Sequence, residues 1–219
     1  MNSLKIRLIN TCYLMRMFKD KTYQTMLNWY YGDLKNVERI YKEKETIYNH
    51  FYKLSVPMTP IIDNLILGNA CDASFYYRLE KANIGAIINV TKEIPNYFKG
   101  EFSYFNISLN DQNHDNFTNT QFKEVIEFIE SVPKEQNILI HCYMGSSRSA
   151  TVIAAYMINK YGYSIDKCIE LLRKKREIVN INKQFISNLE DYSLSLSLSL
   201  SQSLNSELSA SNVSSKSPP

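Results

Sequence analysis

Between residues 64 and 192 the chain alternates short runs of β-branched and aromatic residues with longer stretches whose apolar positions recur every three to four residues. The short runs predict strands over 64–67, 85–90, 102–109 and 137–141, each bounded by polar, Gly or Pro residues. The longer stretches predict helices over 73–82, 118–131, 147–160, 164–176 and 183–192. In the second of these helices Phe122, Val125, Ile126 and Ile129 form the apolar stripe. Thr118 and Gln121 there have the spacing of a capping box, which satisfies free N–H groups at a helix start. Strands alternating with helices argue an α/β domain.

The ends of the chain follow other patterns. Leu34, Val37, Tyr41, Tyr48 and Phe51 stand at near-helical spacing close to Trp29, Tyr30 and Tyr31, and residues 1–56 carry ten Lys and Arg against five Asp and Glu. A basic, aromatic-rich helical extension packed on the main domain is expected there. From residue 192 to 219 serine dilutes the apolar residues, which predicts a disordered tail. The strict Ser-Leu alternation also fits a strand with Leu194, Leu196, Leu198 and Leu200 on one face. The main domain is expected over 57–191.

Composition excludes more than it assigns. The 219 residues are 44% hydrophobic and 21% charged, as in ordinary globular proteins, and the net charge of +3 is too small to imply nucleic acid as a partner. The longest purely apolar run, 152–158, is far short of the ~20 residues of a membrane span, and Lys5, Arg7 and Arg16 interrupt the stretch where a signal peptide would be apolar. A cytoplasmic or nuclear location is expected. Cys12, Cys71, Cys142 and Cys168 form no Cys-x-x-Cys pair, and His50, His114 and His141 are scattered, so neither a disulfide framework nor a metal site is suggested.

Chemistry concentrates in NILIHCYMGSSRS, residues 137–149, where a buried-strand pattern runs through a short loop into an apolar helix. A loop entering a helix points successive N–H groups at one place and forms a cradle for a tetrahedral anion. Residues Tyr143, Met144, Gly145, Ser146, Ser147 and Arg148 would line it. The same potential lowers the pKa of a thiol at the loop's start, making Cys142 a candidate nucleophile. Arg148 can hold phosphate oxygens through parallel hydrogen bonds, and Gly145 suits an unusual backbone conformation. Ser149 can donate its hydroxyl to the Cys142 sulfur, and His141 is suited to orienting the loop. A departing oxygen also needs a proton, for which Asp111 is the candidate acid and Asp115 its rival. Elsewhere, Arg173, Lys174, Lys175 and Arg176 read as a solvated last helical turn, with recognition of acidic substrate or a nuclear signal as the alternatives, and Cys71 reads as a small apolar filler.

The run from His141 through Cys142 and Arg148 to Ser149 resembles the signature of the dual-specificity branch of the protein tyrosine phosphatases. The resemblance extends over 57–191, through Ile62, Leu65, Leu67 and Gly68, the run IGAIINVT from Ile84, Asp111, and Asn182, Phe185 and Leu189. Glu177 and Ile181 stand where that family usually has proline, and Asn188 where it has glutamine. The resemblance implies a mixed, five-stranded sheet flanked by helices, no metal or organic cofactor, and a phosphorylated protein as partner and substrate. It also implies two steps, with Cys142 taking the phosphoryl group while Asp111 protonates the leaving oxygen, then Asp111 activating water. Two other readings stand beside it: a phosphoprotein-binding module without catalysis, and a phosphatase of phosphoinositides or RNA 5′ ends. The intact Cys142, Arg148 and Asp111 argue against the first, and the uncharged Tyr143, Met144, Ser146 and Ser147 against the second.

Overall fold

The computed structural model describes residues 56–109 and 116–214. The N-terminal extension expected over 1–56 therefore falls almost wholly outside the described residues, as do Asp111 and Asp115.

Five strands form one mixed sheet in the order β1-β2-β5-β3-β4: β1 Thr59–Ile62, β2 Leu65–Gly68, β3 Ile84–Asn89, β4 Ser103–Asn106 and β5 Asn137–His141. β1 pairs antiparallel with β2, and the other neighbours are parallel. β1 lies outside the strands expected from periodicity because Pro60 interrupts its pattern, and proline is tolerated in an edge strand that donates to one neighbour only. β5 lies at the centre, and its residues point alternately to two cores. Ile138 and Ile140 join the larger cluster while Leu139 joins the smaller. A strand covered on both faces reads as an unbroken apolar run, as this one does.

The larger core is roofed by helices α3 Asn119–Ser131, α4 Arg148–Tyr161, α5 Ile165–Lys175 and α6 Lys183–Ser214. The capping box of α3 is formed as expected, Thr118 Oγ1 accepting from the Gln121 N–H at 3.1 Å and Gln121 Oε1 from the Thr118 N–H at 3.0 Å. Helix α4 is buried from Arg148 to Ile158, and Gly162 ends it with φ of 61°. On the other face two short helices replace the single one expected over 73–82: α1 Ala70–Ala73 and α2 Tyr76–Lys81. Asn69 and Asp72 cap α1 reciprocally, which starts that helix three residues earlier than its apolar pattern suggests.

The chain does not leave the fold near residue 192. Helix α6 runs through the Ser-Leu stretch to Ser214. Tyr192 is fully buried with its ring 5.0 Å from that of Phe122, and Leu196 packs on the larger core. The hydroxyls of Ser195, Ser197, Ser199 and Ser201 each donate to the carbonyl three residues back, so serine is satisfied inside the helix. At 3.6 residues per turn alternate leucines cannot share a face. Leu196 turns inward while Leu194 and Leu198 remain 60% and 54% exposed. Among the described residues no helix is long and apolar enough to cross a membrane.

Candidate active site

The loop 142–147 leaves β5 at the carboxyl end of the parallel strands and enters α4 at Arg148. This is the crevice where open α/β sheets bind ligands. Its carbonyls are held from outside. Tyr143 O accepts from the Ala70 N–H at 3.1 Å, Ser146 O from the Asn180 N–H at 2.9 Å, and Ser147 O from the Thr151 N–H at 2.9 Å. Met144 O and Gly145 O accept from the Arg176 guanidinium at 3.4 and 2.9 Å. In a trans peptide the N–H points opposite the carbonyl, so carbonyls turned outward leave the following N–H groups turned into the loop. Gly145 has φ of 70°, and a Cβ there would run into the Gly68 carbonyl, so the position requires glycine.

At the floor of this cradle lies Cys142, 1% exposed. Its Sγ accepts from the Gly145 N–H and the Ser149 hydroxyl, each at 3.2 Å. Burial pushes the Cys142 thiol up, but the Arg148 charge, the Ser149 hydroxyl and the Ser149 and Gly145 N–H groups outweigh it, and the net shift is downward. Cys168 supplies the contrast. Buried without such a set of donors, its thiol is pushed up to about 11.

Fully buried beside Cys142, His141 has its pKa pushed down to about 4 by desolvation, so the imidazole is neutral at physiological pH. Its Nδ1 stands 3.4 Å from the Cys142 carbonyl, in keeping with an orienting rather than a proton-transferring role. An unfolded histidine takes its proton near pH 6.5, whereas the folded one does so only near 4. Stability should therefore fall as pH drops through this window, by about 3 kcal/mol at full extent. Urea unfolding from pH 7 to pH 4 should show a shallower pH dependence in His141→Asn than in the parent; equal slopes would remove His141 as the cause.

Arg148 is 1% exposed and forks onto Glu93, Nη1 to Oε2 at 3.1 Å and Nη2 to Oε1 at 2.9 Å, while Nη1 also donates to Leu109 O at 2.8 Å. Glu93 is the residue that sequence reasoning missed. The loop after β3 holds it in place: Asn89 Nδ2 donates to Ile94 O and Asn96 Oδ1, and Thr91 Oγ1 accepts from the Ile94 N–H. A signal did exist, because a guanidinium buried at a helix start requires an anionic partner from another loop on the same sheet edge.

Nine of the ten expected site residues, His141 to Ser149, occupy this one loop and helix start, while Asp111 lies outside the described residues; Ser147 uses its Oγ to accept from the Asn182 N–H at 3.1 Å. The four-residue basic run is corrected at one position. Arg176 is not solvated but 2% exposed, its Nη1 donating to Pro57 O at 2.6 Å and Thr59 Oγ1 at 3.2 Å. Helical spacing placed it on the last turn of α5; it caps that helix facing inward, beneath the loop.

A family profile described as "Dual specificity phosphatase, catalytic domain" matches residues 65–194. The chain is 35% identical over 136 residues to the protein phosphatase Slingshot of Drosophila melanogaster, covering 62% of this chain and 13% of that protein. To dual specificity protein phosphatase 9 of Homo sapiens it is 37% identical over 139 residues, covering 62% and 36%. The chain thus spans well under half the length of these curated relatives. In fold it resembles human DUSP28, with a TM-score of 0.60, 22% identity, and coverage of 65% of this chain and 96% of that one.

Proposed function

The chain belongs to the dual specificity phosphatase catalytic-domain family, and on that footing we propose that it removes phosphate from phosphotyrosine and from phosphoserine or phosphothreonine in proteins through a phosphocysteine intermediate. One observation carries the reading: a buried sulfur whose pKa is drawn down by Arg148 and by three donors from its own loop and helix start. A sulfur drawn toward its thiolate form in this way is suited to act as a nucleophile at the bottom of an anion cradle.

In the first step Cys142 Sγ attacks phosphorus, the bond from phosphorus to the ester oxygen breaks, and Asp111 gives that oxygen its proton. In the second, water attacks phosphorus, its proton passes to the Asp111 carboxylate, and the bond from sulfur to phosphorus breaks. The Ser149 hydroxyl, 3.2 Å from Sγ, stabilises the departing thiolate. Arg148 follows the phosphoryl oxygens through both steps. Support for Asp111 comes from Leu109, whose carbonyl rests on Arg148 at 2.8 Å. Asp111 follows that anchor by two residues in the chain and Asp115 by six.

Asp111→Asn should lower kcat by about 10² to 10⁴ on a phenyl or alkyl phosphate and far less on a substrate with a good leaving group, because only the former needs a proton. Should Asp115→Asn show this pattern and Asp111→Asn not, the acid is Asp115. Neutral side chains at Tyr143, Met144, Ser146 and Ser147 support a protein substrate over polyphosphorylated head groups or RNA ends. Comparing kcat/KM for phosphopeptides, soluble phosphoinositides and triphosphate-ended RNA tests this. A preference above about tenfold for a lipid head group or RNA would overturn it. We also place the enzyme in a reducing compartment, the cytoplasm or nucleus, since its nucleophile works only as a free thiol.

A further inference from the structure

We propose that Arg176 is a positioning residue that sets the orientation of two peptide planes in the phosphate cradle without touching the substrate. This inference rests on the phosphatase reading above. Arg176 lies 31 residues beyond Gly145 in the chain and is 2% exposed, yet its Nε donates to Gly145 O at 2.9 Å and its Nη2 to Met144 O at 3.4 Å. The other side of the guanidinium is anchored by Nη1 on Pro57 O and Thr59 Oγ1, at the start of β1. One rigid, planar group therefore ties the back of the loop to the edge strand.

The consequence follows from peptide geometry. Drawing Met144 O outward turns the Gly145 N–H inward, where it meets Cys142 Sγ at 3.2 Å. Drawing Gly145 O outward turns the Ser146 N–H in the same way. These planes need an external hold because they flank a glycine at φ of 70°, a residue with little preference of its own between orientations. The arrangement is also mutual: a Cβ on residue 145 would stand 2.8 Å from Arg176 Nη2, so the guanidinium reaches the loop only because that position is glycine. Without Arg176 the cradle keeps its nucleophile and Arg148 but loses control of two of its N–H donors, one of them a donor to the sulfur.

A residue that merely stabilised the fold would lower the melting temperature and leave the chemistry of the surviving folded enzyme alone. A positioning residue moves two further readouts. In the full-length chain, Arg176→Lys and Arg176→Gln should weaken competitive inhibition by inorganic phosphate by about tenfold, the cost of one lost hydrogen bond to an anion. The acidic limb of kcat/KM, which reports the Cys142 thiol, should shift to higher pH in both. Arg173→Gln, on the same helix with its Nε on Val179 O at 3.3 Å, should leave both readouts unchanged. If either Arg176 variant folds and keeps the parent's phosphate inhibition and pH limb, the proposal is overturned. Where neither folds, Thr59→Val decides, since it removes one anchor of the guanidinium: a two- to threefold weaker phosphate inhibition, about the effect of one partial contact, supports the proposal, and no change overturns it. A parent enzyme that neither hydrolyses an aryl phosphate nor binds inorganic phosphate would instead sink the phosphatase reading itself.

Discussion

Replacing Cys142 by serine is expected to cut turnover of an aryl phosphate by about 10⁴-fold or more while inorganic phosphate still binds within a few-fold of the parent. The two effects separate because different atoms carry them. The cradle is made of loop N–H groups and Arg148, and all remain. A serine hydroxyl accepts from the Gly145 N–H and the Ser149 hydroxyl as the sulfur does, so the buried site stays satisfied. What disappears is ionisation. The donors that draw the Cys142 thiol below its ordinary range cannot bring an alcohol near neutrality. Steady-state kinetics with phosphate as competitive inhibitor read both quantities in one experiment. Turnover within about a hundredfold of the parent would end the covalent reading.

The second large effect belongs to Arg148→Lys, for which kcat should fall by about 10³, the scale on which a transition-state arginine contributes to phosphoryl transfer. A lysine keeps the positive charge and loses the fork. It cannot bond both Glu93 oxygens and the Leu109 carbonyl while presenting two parallel donors to a phosphoryl group. Since charge near the sulfur is retained, the acidic limb of kcat/KM should move little while its height collapses. That split distinguishes geometry from electrostatics: a limb shifted upward with kcat preserved would mean that Arg148 acts only as a charge.

Glu93 and Arg176 show where sequence reasoning stops. Cys142 as candidate nucleophile, with Gly145, Arg148 and Ser149, was legible because these residues sit within eight residues of one another, and a strand-loop-helix transition determines their relative placement. The Thr118 capping box was legible for the same reason, its two bonds spanning three residues. Glu93 is 55 residues from Arg148, and nothing local tells a carboxylate in that loop from any other surface acid until β3 and β5 pair and bring the two loops to one sheet edge. Helical spacing puts Arg176 on the last turn of its helix without showing that it faces inward, because periodicity gives an angle around an axis and not what lies opposite it. The Ser-Leu run was ambiguous in kind. An alternation of period two is a strand on paper, and only a core surface continuous with Tyr192 and Leu196 draws it into a helix.

By itself, then, the sequence determined the α/β class and pointed to Cys142 as candidate nucleophile and to its loop as a candidate anion cradle, all of which depend on interactions between near neighbours in the chain. The tertiary structure decided which distant side chains hold that loop in its working shape. Such contacts depend on the register of a parallel sheet and on the packing of helices across it, and their free energy appears only once the whole domain has closed.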